Sequence, residues 1–403
     1  MKTFAAGLLA LTLTFPLPGL AQRGGNSWEN QGNLPVSPEV HPDRSVTFRL
    51  FAPKASEVLL VGGPMIAVMG GPKPLVKDER GLWSVTVGPI PAGYYNYGFA
   101  VDGGIRSPDP ANPNIEHRQW GHTSFFIVDD TQAQLFQAWK VPHGTVHILT
   151  YDSKSLGLAR RAFVYTPPGY EETPDQRLPV LYLLHGSGLL EEAWVETGQV
   201  NLILDNLLSQ GKIKPMVVVM PYGSVAGGDQ PQGPGGPAAP AQPNRGGRGG
   251  GGFENDLLNE VRPMVEAKFH VLNDREHRAI AGLSMGADQA ATIGLGHLDL
   301  FSAIGAFSGN GIQLGSHTPE ELNAKLQAMM ISVGRQDPAF GRNQQTSQTF
   351  DQGNINHVFL TPEGGHIWPV WQLSIAQFTP LLFQDKAGAP AAAAKSAGAP
   401  AQN

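Results

Sequence analysis

The sequence predicts a two-part chain: an all-β sandwich followed by an α/β region built on a mostly parallel sheet with helices on both faces. From residue 45 to 129 short strand-like runs are separated by Gly/Pro punctuation and show no helical period, whereas from residue 145 apolar strands alternate with helices. With 403 residues the chain is long enough for two cores, one small and one large.

Ahead of the first strand, Met1-Lys2 gives a positive start, residues 4–20 form an apolar run broken by Pro16 and Pro18, and Gly19-Leu20-Ala21 supplies a small-x-small cleavage site. This pattern predicts a cleaved export signal over residues 1–22 and a mature protein that is secreted or periplasmic and free of the membrane. A transmembrane anchor fits less well, because the run is short and no flanking basic cluster follows. The absence of cysteine (0) excludes a lipoprotein anchor, disulfides, thiolate metal sites and a cysteine nucleophile. A net charge of -6, with one Gly/Arg stretch as the only basic block, leaves no footprint for nucleic acid or anionic lipid. A neutral or weakly charged substrate fits better.

In the sandwich (45–129) the runs 46–51, 57–61, 83–87, 93–101 and 123–128 read as strands. In the second region (142–383) residues 146–151 and 162–165 read as a strand pair. Strand 180–184, helix 200–209, strand 216–220, helix 253–268, strand 279–281, a helix through Ala291, and strands 303–306, 329–333 and 357–360 follow. Residues 224–252 are nearly all Gly, Pro, Ala, Gln and Arg, too little apolar area to offset the entropy of ordering. They are expected to be a disordered insertion, and 387–403 a flexible tail. Gly/Arg segments can bind RNA, but the export signal argues against that role here.

Gly282-Leu283-Ser284-Met285-Gly286 matches the nucleophile elbow, a sharp strand-to-helix turn that exposes a serine hydroxyl. Because 50 residues are glycine the motif alone is weak, and its context carries it. An apolar strand precedes it, and the helix-forming Asp288-Gln289-Ala290-Ala291 follows. This predicts an α/β-hydrolase fold with Ser284 as nucleophile. In that fold the acid and then the base follow in chain order, in loops at the carboxyl ends of later strands. Asp337, after the strand 329–333, is the candidate acid, with an ordinary turn aspartate before Pro338 as the alternative. His366, in Gly364-Gly365-His366, is the candidate base, with a structural loop histidine as the alternative. His357 is expected inside a strand, and His270, His277, His297 and His317 at helix ends or connections. His185-Gly186-Ser187-Gly188 ends the strand 180–184 where the second oxyanion amide belongs. His185 reads as structural, the N–H of Ser187 or of Gly188 as one donor, and that of Met285 as the other.

Taken together, Ser187-Gly188 with Trp194, Leu204-Asp205-Asn206-Leu207, the elbow, Gly334-Arg335-Gln336-Asp337 and Gly364-Gly365-His366-Ile367-Trp368-Pro369-Val370-Trp371 resemble the first carbohydrate esterase family over about 142–383. That family holds feruloyl and acetylxylan esterases, with enterochelin esterases as close relatives. Phe51-Ala52-Pro53, residues 83–87, Val101-Asp102-Gly103 and Asp109-Pro110-Ala111-Asn112-Pro113 are similar to early-set, immunoglobulin-like modules of the forty-eighth carbohydrate-binding family. Ala287, Leu189-Leu190 and the long insertion depart from the pattern and bear on pocket shape. The resemblance implies a serine carboxylic-ester hydrolase working through an acyl-enzyme on a carbohydrate-linked ester, with no metal or organic cofactor. Trp194, Gln289 and Trp368 are candidates for the substrate pocket, since aromatic faces suit sugars or phenolic acyl groups; a core or framework role is the alternative for each. An acyltransferase, an enterochelin-type siderophore esterase and a non-catalytic glycan-binding protein are the rival functions.

Overall fold

The computed structural model describes residues 35–62, 69–119, 121–128, 136–225 and 251–384. The expected export signal (1–22) and C-terminal tail (387–403) lie outside the described residues, as do residues 226–250 of the expected insertion. The described residues from Val36 onward cluster as one compact unit. Among the described residues no helix is long and apolar enough to cross a membrane.

Among its described residues the first region forms ten strands: β1 Glu39–Val40, β2 Val46–Phe51, β3 Val58–Val61, β4 Lys73–Pro74, β5 Val76–Lys77, β6 Leu82–Val87, β7 Gly93–Val101, β8 Ile105–Ser107, β9 Ile115–Arg118 and β10 Gly121–Val128. A four-stranded sheet runs β1-β2-β6-β5 and a six-stranded sheet β4-β3-β7-β10-β9, with β8 on β7. Phe48 and Trp83 of the first sheet meet Tyr95, Tyr97, Phe99 and Phe126 of the second in one aromatic core. Because side chains alternate along a strand, Tyr94 and Phe125 leave the opposite face of the six-stranded sheet and enter the core of the α/β region. Both faces of that sheet are therefore buried, which joins the two regions.

The second region carries β11 Thr145–Ser153, β12 Leu158–Thr166, β13 Val180–Leu184, β14 Val217–Pro221, β15 Arg278–Leu283, β16 Ala303–Phe307, β17 Ala328–Ser332 and β18 Val358–Leu360. They form one sheet in the order β11-β12-β14-β13-β15-β16-β17-β18. β11 and β12 pair antiparallel, β12 meets β14 antiparallel, and every later pairing is parallel. The helices are α1 Ala193–Glu196, α2 Val200–Ser209, α3, α4 Met285–Gly296, α5 Pro319–Lys325, α6 Phe340–Gln352 and α7 Trp368–Phe378. Helix α3 runs Gly251–Asp256, widens to a π turn over Leu257–Val261 and continues through Arg262–Lys268. One sheet face is covered by α2 and α7, through Ile203, Leu204, Ile375 and Phe378, and the other by α3, α4 and α6, through Phe253, Val261, Ile293 and Phe350. A mostly parallel sheet covered on both faces is the α/β arrangement, here in the α/β-hydrolase strand order.

His357 is not inside a strand: β18 begins one residue later, and the His357 ring instead pairs with the Ser347 hydroxyl of α6 at 2.7 Å.

Candidate active site

β15 turns into α4 at Ser284, whose φ of 53° and ψ of -117° are strained for a residue that carries a Cβ. Tight packing under the turn explains the glycine at 286: a Cβ there would fall 2.5 Å from the His185 carbonyl oxygen and 2.7 Å from that of Leu184. The Ser284 amide donates to Phe307 O at 2.8 Å, tying the elbow to β16.

The loops after β17 and β18 continue the pairing of their strands. Val333 N donates to Leu360 O at 3.0 Å, Arg335 N to Pro362 O at 2.9 Å and Gln336 N to Gly364 O at 2.9 Å. This zipper brings Asp337 and His366 together. His366 Nδ1 lies 2.8 Å from Asp337 Oδ2 and its Nε2 3.0 Å from Ser284 Oγ, so the three residues meet around one imidazole.

The Asp337 side chain is 1 % exposed and that of His366 39 %. Burial works to raise the Asp337 carboxyl pKa, but hydrogen bonds from His366 and the Ala339 amide, the nearby imidazole and the Ser308 hydroxyl outweigh it and hold the pKa below its ordinary value. An ionised Asp337 only accepts, which assigns the imidazole proton to Nδ1 and leaves the Nε2 lone pair for the serine hydroxyl. Trp371 packs edge-on to the imidazole at 5.0 Å and donates its indole N–H to Ser308 Oγ at 3.1 Å.

On the other side of Ser284 lies the loop after β13. His185 Nε2 accepts the Gly223 N–H at 2.8 Å, and the ring stacks on Tyr222, so this histidine joins the loops after β13 and β14. Gly186 abuts Ser284: a Cβ on it would fall 3.3 Å from Ser284 Cβ. Ser187 is exposed, Gly188 is buried at a φ of 75°, and Leu189 N closes the turn on Gly186 O at 3.2 Å. Met285 opens α4, so its N–H is one of the first-turn amides without an intrahelical acceptor, at the positive end of the helix dipole.

The expected pocket residues sit elsewhere. Trp194 is 0 % and Trp368 1 % exposed, their rings meet edge to face at 5.4 Å, and their indole N–H groups donate to Leu184 O and Glu116 Oε2. Both are core residues rather than pocket walls, because neither ring has a face open to a substrate. Gln289 is 7 % exposed and donates to Gly223 O at 3.0 Å, bracing the loop that His185 holds.

Ser308 and Arg160 escape the sequence reading. Arg160, 4 % exposed on β12, donates to Tyr222 O and Ser224 O and pairs with buried Asp256 at 3.3 Å. An arginine in an alternating strand reads as solvent-facing, and no local pattern signals its burial.

Residues 153–382 match the Esterase family model. An endo-1,4-beta-xylanase/feruloyl esterase of Xylanibacter ruminicola is 33 % identical over 86 % of this chain and 46 % of its own length. The chain spans about half the length of the curated relatives it matches. Among solved structures, a CE1 ferulic acid esterase from the anaerobic fungus Anaeromyces mucronatus is similar at 25 % identity and a TM-score of 0.51, over 61 % of this chain and 93 % of that one. The enterobactin esterase of Shigella flexneri shares the fold at 17 % identity and a TM-score of 0.58, over 83 % of this chain and 92 % of that one. With the family model matching 153–382 of 403 residues, more than half of the sequence, the chain belongs to the Esterase family.

Proposed function

We propose that the chain is an exported serine esterase that hydrolyses acyl esters of plant polysaccharide, of the feruloyl or acetylxylan type. One observation carries the chemistry: the His366 imidazole bridges Ser284 Oγ at 3.0 Å and Asp337 Oδ2 at 2.8 Å. In this reading Nε2 takes the Ser284 proton as Oγ attacks the ester carbonyl, and Asp337 orients and stabilises the resulting imidazolium. The tetrahedral oxyanion is held by the Met285 N–H and the N–H of Ser187. His366 returns the proton to the leaving alcohol, and water then repeats the cycle on the acyl-enzyme, with no metal or organic cofactor required.

The polysaccharide ester is supported by the xylanase/feruloyl esterase relative. The first region is proposed as a carbohydrate-binding module of the early-set kind, and residues 1–22 as a cleaved leader. A siderophore esterase is the second reading, favoured by the enterobactin esterase likeness, which extends over 83 % of this chain. Purified protein assayed on feruloylated arabinoxylan, acetylated xylan, p-nitrophenyl acetate and a catecholate siderophore ester separates these readings. Release of ferulate or acetate is expected, and Ser284→Ala is expected to abolish it. Turnover confined to the siderophore ester would replace the polysaccharide reading, and undiminished hydrolysis by Ser284→Ala would overturn the mechanism.

A further inference from the structure

Helix α7 begins two residues after His366, and its first side chain is fixed from the other region of the molecule. The Trp368 indole N–H donates to Glu116 Oε2 at 2.9 Å. Glu116 lies on β9 and is 1 % exposed. The same oxygen accepts from the Tyr94 hydroxyl at 2.9 Å and from Asn96 Nδ2 at 3.3 Å, while Arg118 pairs with Oε1. Burying a carboxylate is costly unless donors surround it, and here they fix the acceptor in direction as well as place.

From that anchor, rings lead to the base. Trp368 meets Trp371 edge to face at 5.3 Å, and Trp371 meets the His366 imidazole at 5.0 Å. Just past β9, Gln119 reaches the opposite side of the site: its N–H donates to Gly188 O at 3.0 Å and its Nε2 to Ser224 Oγ at 2.9 Å. Plain packing between two regions needs only apolar contact. A charged acceptor aimed at the Trp368 indole N–H specifies an orientation.

We propose that Glu116 is a positioning residue for the esterase reaction: through Trp368 and Trp371 it sets the His366 imidazole against Ser284, so that the all-β region completes the active site. The proposal rests on the reading of His366 as the general base.

The test uses the full chain, with Glu116→Gln, Trp368→Phe, the double variant and Ser284→Ala. Trp368→Phe keeps an aromatic ring and removes the donor; Glu116→Gln keeps the size and removes the charge. The readouts are kcat and KM on p-nitrophenyl acetate per active site titrated with a fluorophosphonate, together with Tm. Small misplacements remote from the chemistry cost roughly ten- to a hundredfold in rate, so kcat per titrated site should fall by that order in Trp368→Phe with KM held. The double variant should be no slower than the slower single one, because both changes act on the same link. An unchanged kcat per titrated site in Trp368→Phe, whatever happens to Tm, overturns the proposal, as do effects of the two single variants that multiply. If Glu116→Gln does not fold, Trp368→Phe alone decides. Continued turnover by Ser284→Ala would instead sink the reading of Ser284 as nucleophile and His366 as its base, which keeps the two failures distinct.

Discussion

Gly334 and Gly365 approach so closely that a Cβ on Gly334 would fall 2.7 Å from the Gly365 carbonyl oxygen. The first residue opens the loop that carries Asp337 and the second sits beside His366, so this contact sets the spacing of the carboxylate and the imidazole.

Gly334→Ala is therefore expected to force the two loops apart. Overpacking at a closed contact costs about 1–3 kcal/mol, and the displaced imidazole should lower kcat more than it raises KM. Calorimetry and steady-state kinetics on a short ester check both. A variant with the parental Tm and kcat would show that the loops adjust freely and that the contact sets nothing.

Asp337→Asn keeps the shape of the acid but offers a donor where the imidazole needs an acceptor. The loss of the correct tautomer is expected to lower kcat on the order of 10³–10⁴-fold with the fold retained. The Asp337 pKa in the folded chain lies below its ordinary value of 3.8. Its contribution to stability is thus complete above pH 3.8 and fades as pH falls through the lower folded value. Denaturation at pH 5 and near pH 2 should show the stability gap between the parent and Asp337→Asn narrowing at the acid end. A gap that widens there would contradict the lowered pKa.

The two histidines at the site divide in a testable way. His185→Leu leaves the Gly223 N–H without its ring acceptor, a loss of about 1–3 kcal/mol, and kcat should fall only modestly. His366→Ala should do the reverse, nearly abolishing turnover while costing little stability, since its ring is the more exposed of the two. Parallel unfolding curves and rate measurements decide. Equal rate losses would mean that His185 shares in the chemistry.

What was legible in the sequence follows from where each element is buried. Strands buried on both sides, such as 180–184, and the elbow with its flanking strand and helix announce themselves, because apolar runs and glycine spacing are local signals. Helix α7 escapes because Trp368, Pro369, Val370, Trp371, Gln372, Ser374, Ile375, Ala376 and Phe378 are all buried, which erases the amphipathic period. Helix α6 escapes for the opposite reason: it buries only Asn343, Ser347 and Phe350, so no apolar stripe marks it. The doublets Tyr94-Tyr95 and Phe125-Phe126 did carry a readable hint, since adjacent aromatics in a strand point to opposite faces and call for two cores. The misplacement of Trp194 and Trp368 is different in kind. Aromatic residues near a motif suit a pocket and a core equally well, and only the acceptors Leu184 O and Glu116 Oε2 decide between them.

Arg160 and Asp256 supply the last prediction. The pair is 4 % and 0 % exposed, Tyr151 donates its hydroxyl to the same aspartate at 2.8 Å, and the guanidinium lies over the Tyr222 ring at 4.8 Å. Removing one partner strands a buried charge, so Arg160→Met is expected to cost about 3–5 kcal/mol in urea denaturation. Adding Asp256→Asn removes the stranded charge and should recover part of that loss, giving a favourable coupling between the two changes. The carbonyls of Tyr222 and Ser224 lose their donor in either variant, and Gly223 between them is the residue His185 holds. The rate should therefore stay depressed in the double variant even as stability returns. Stability and rate recovering together would place Arg160 in the scaffold alone, with no hold on the loop beside Ser284.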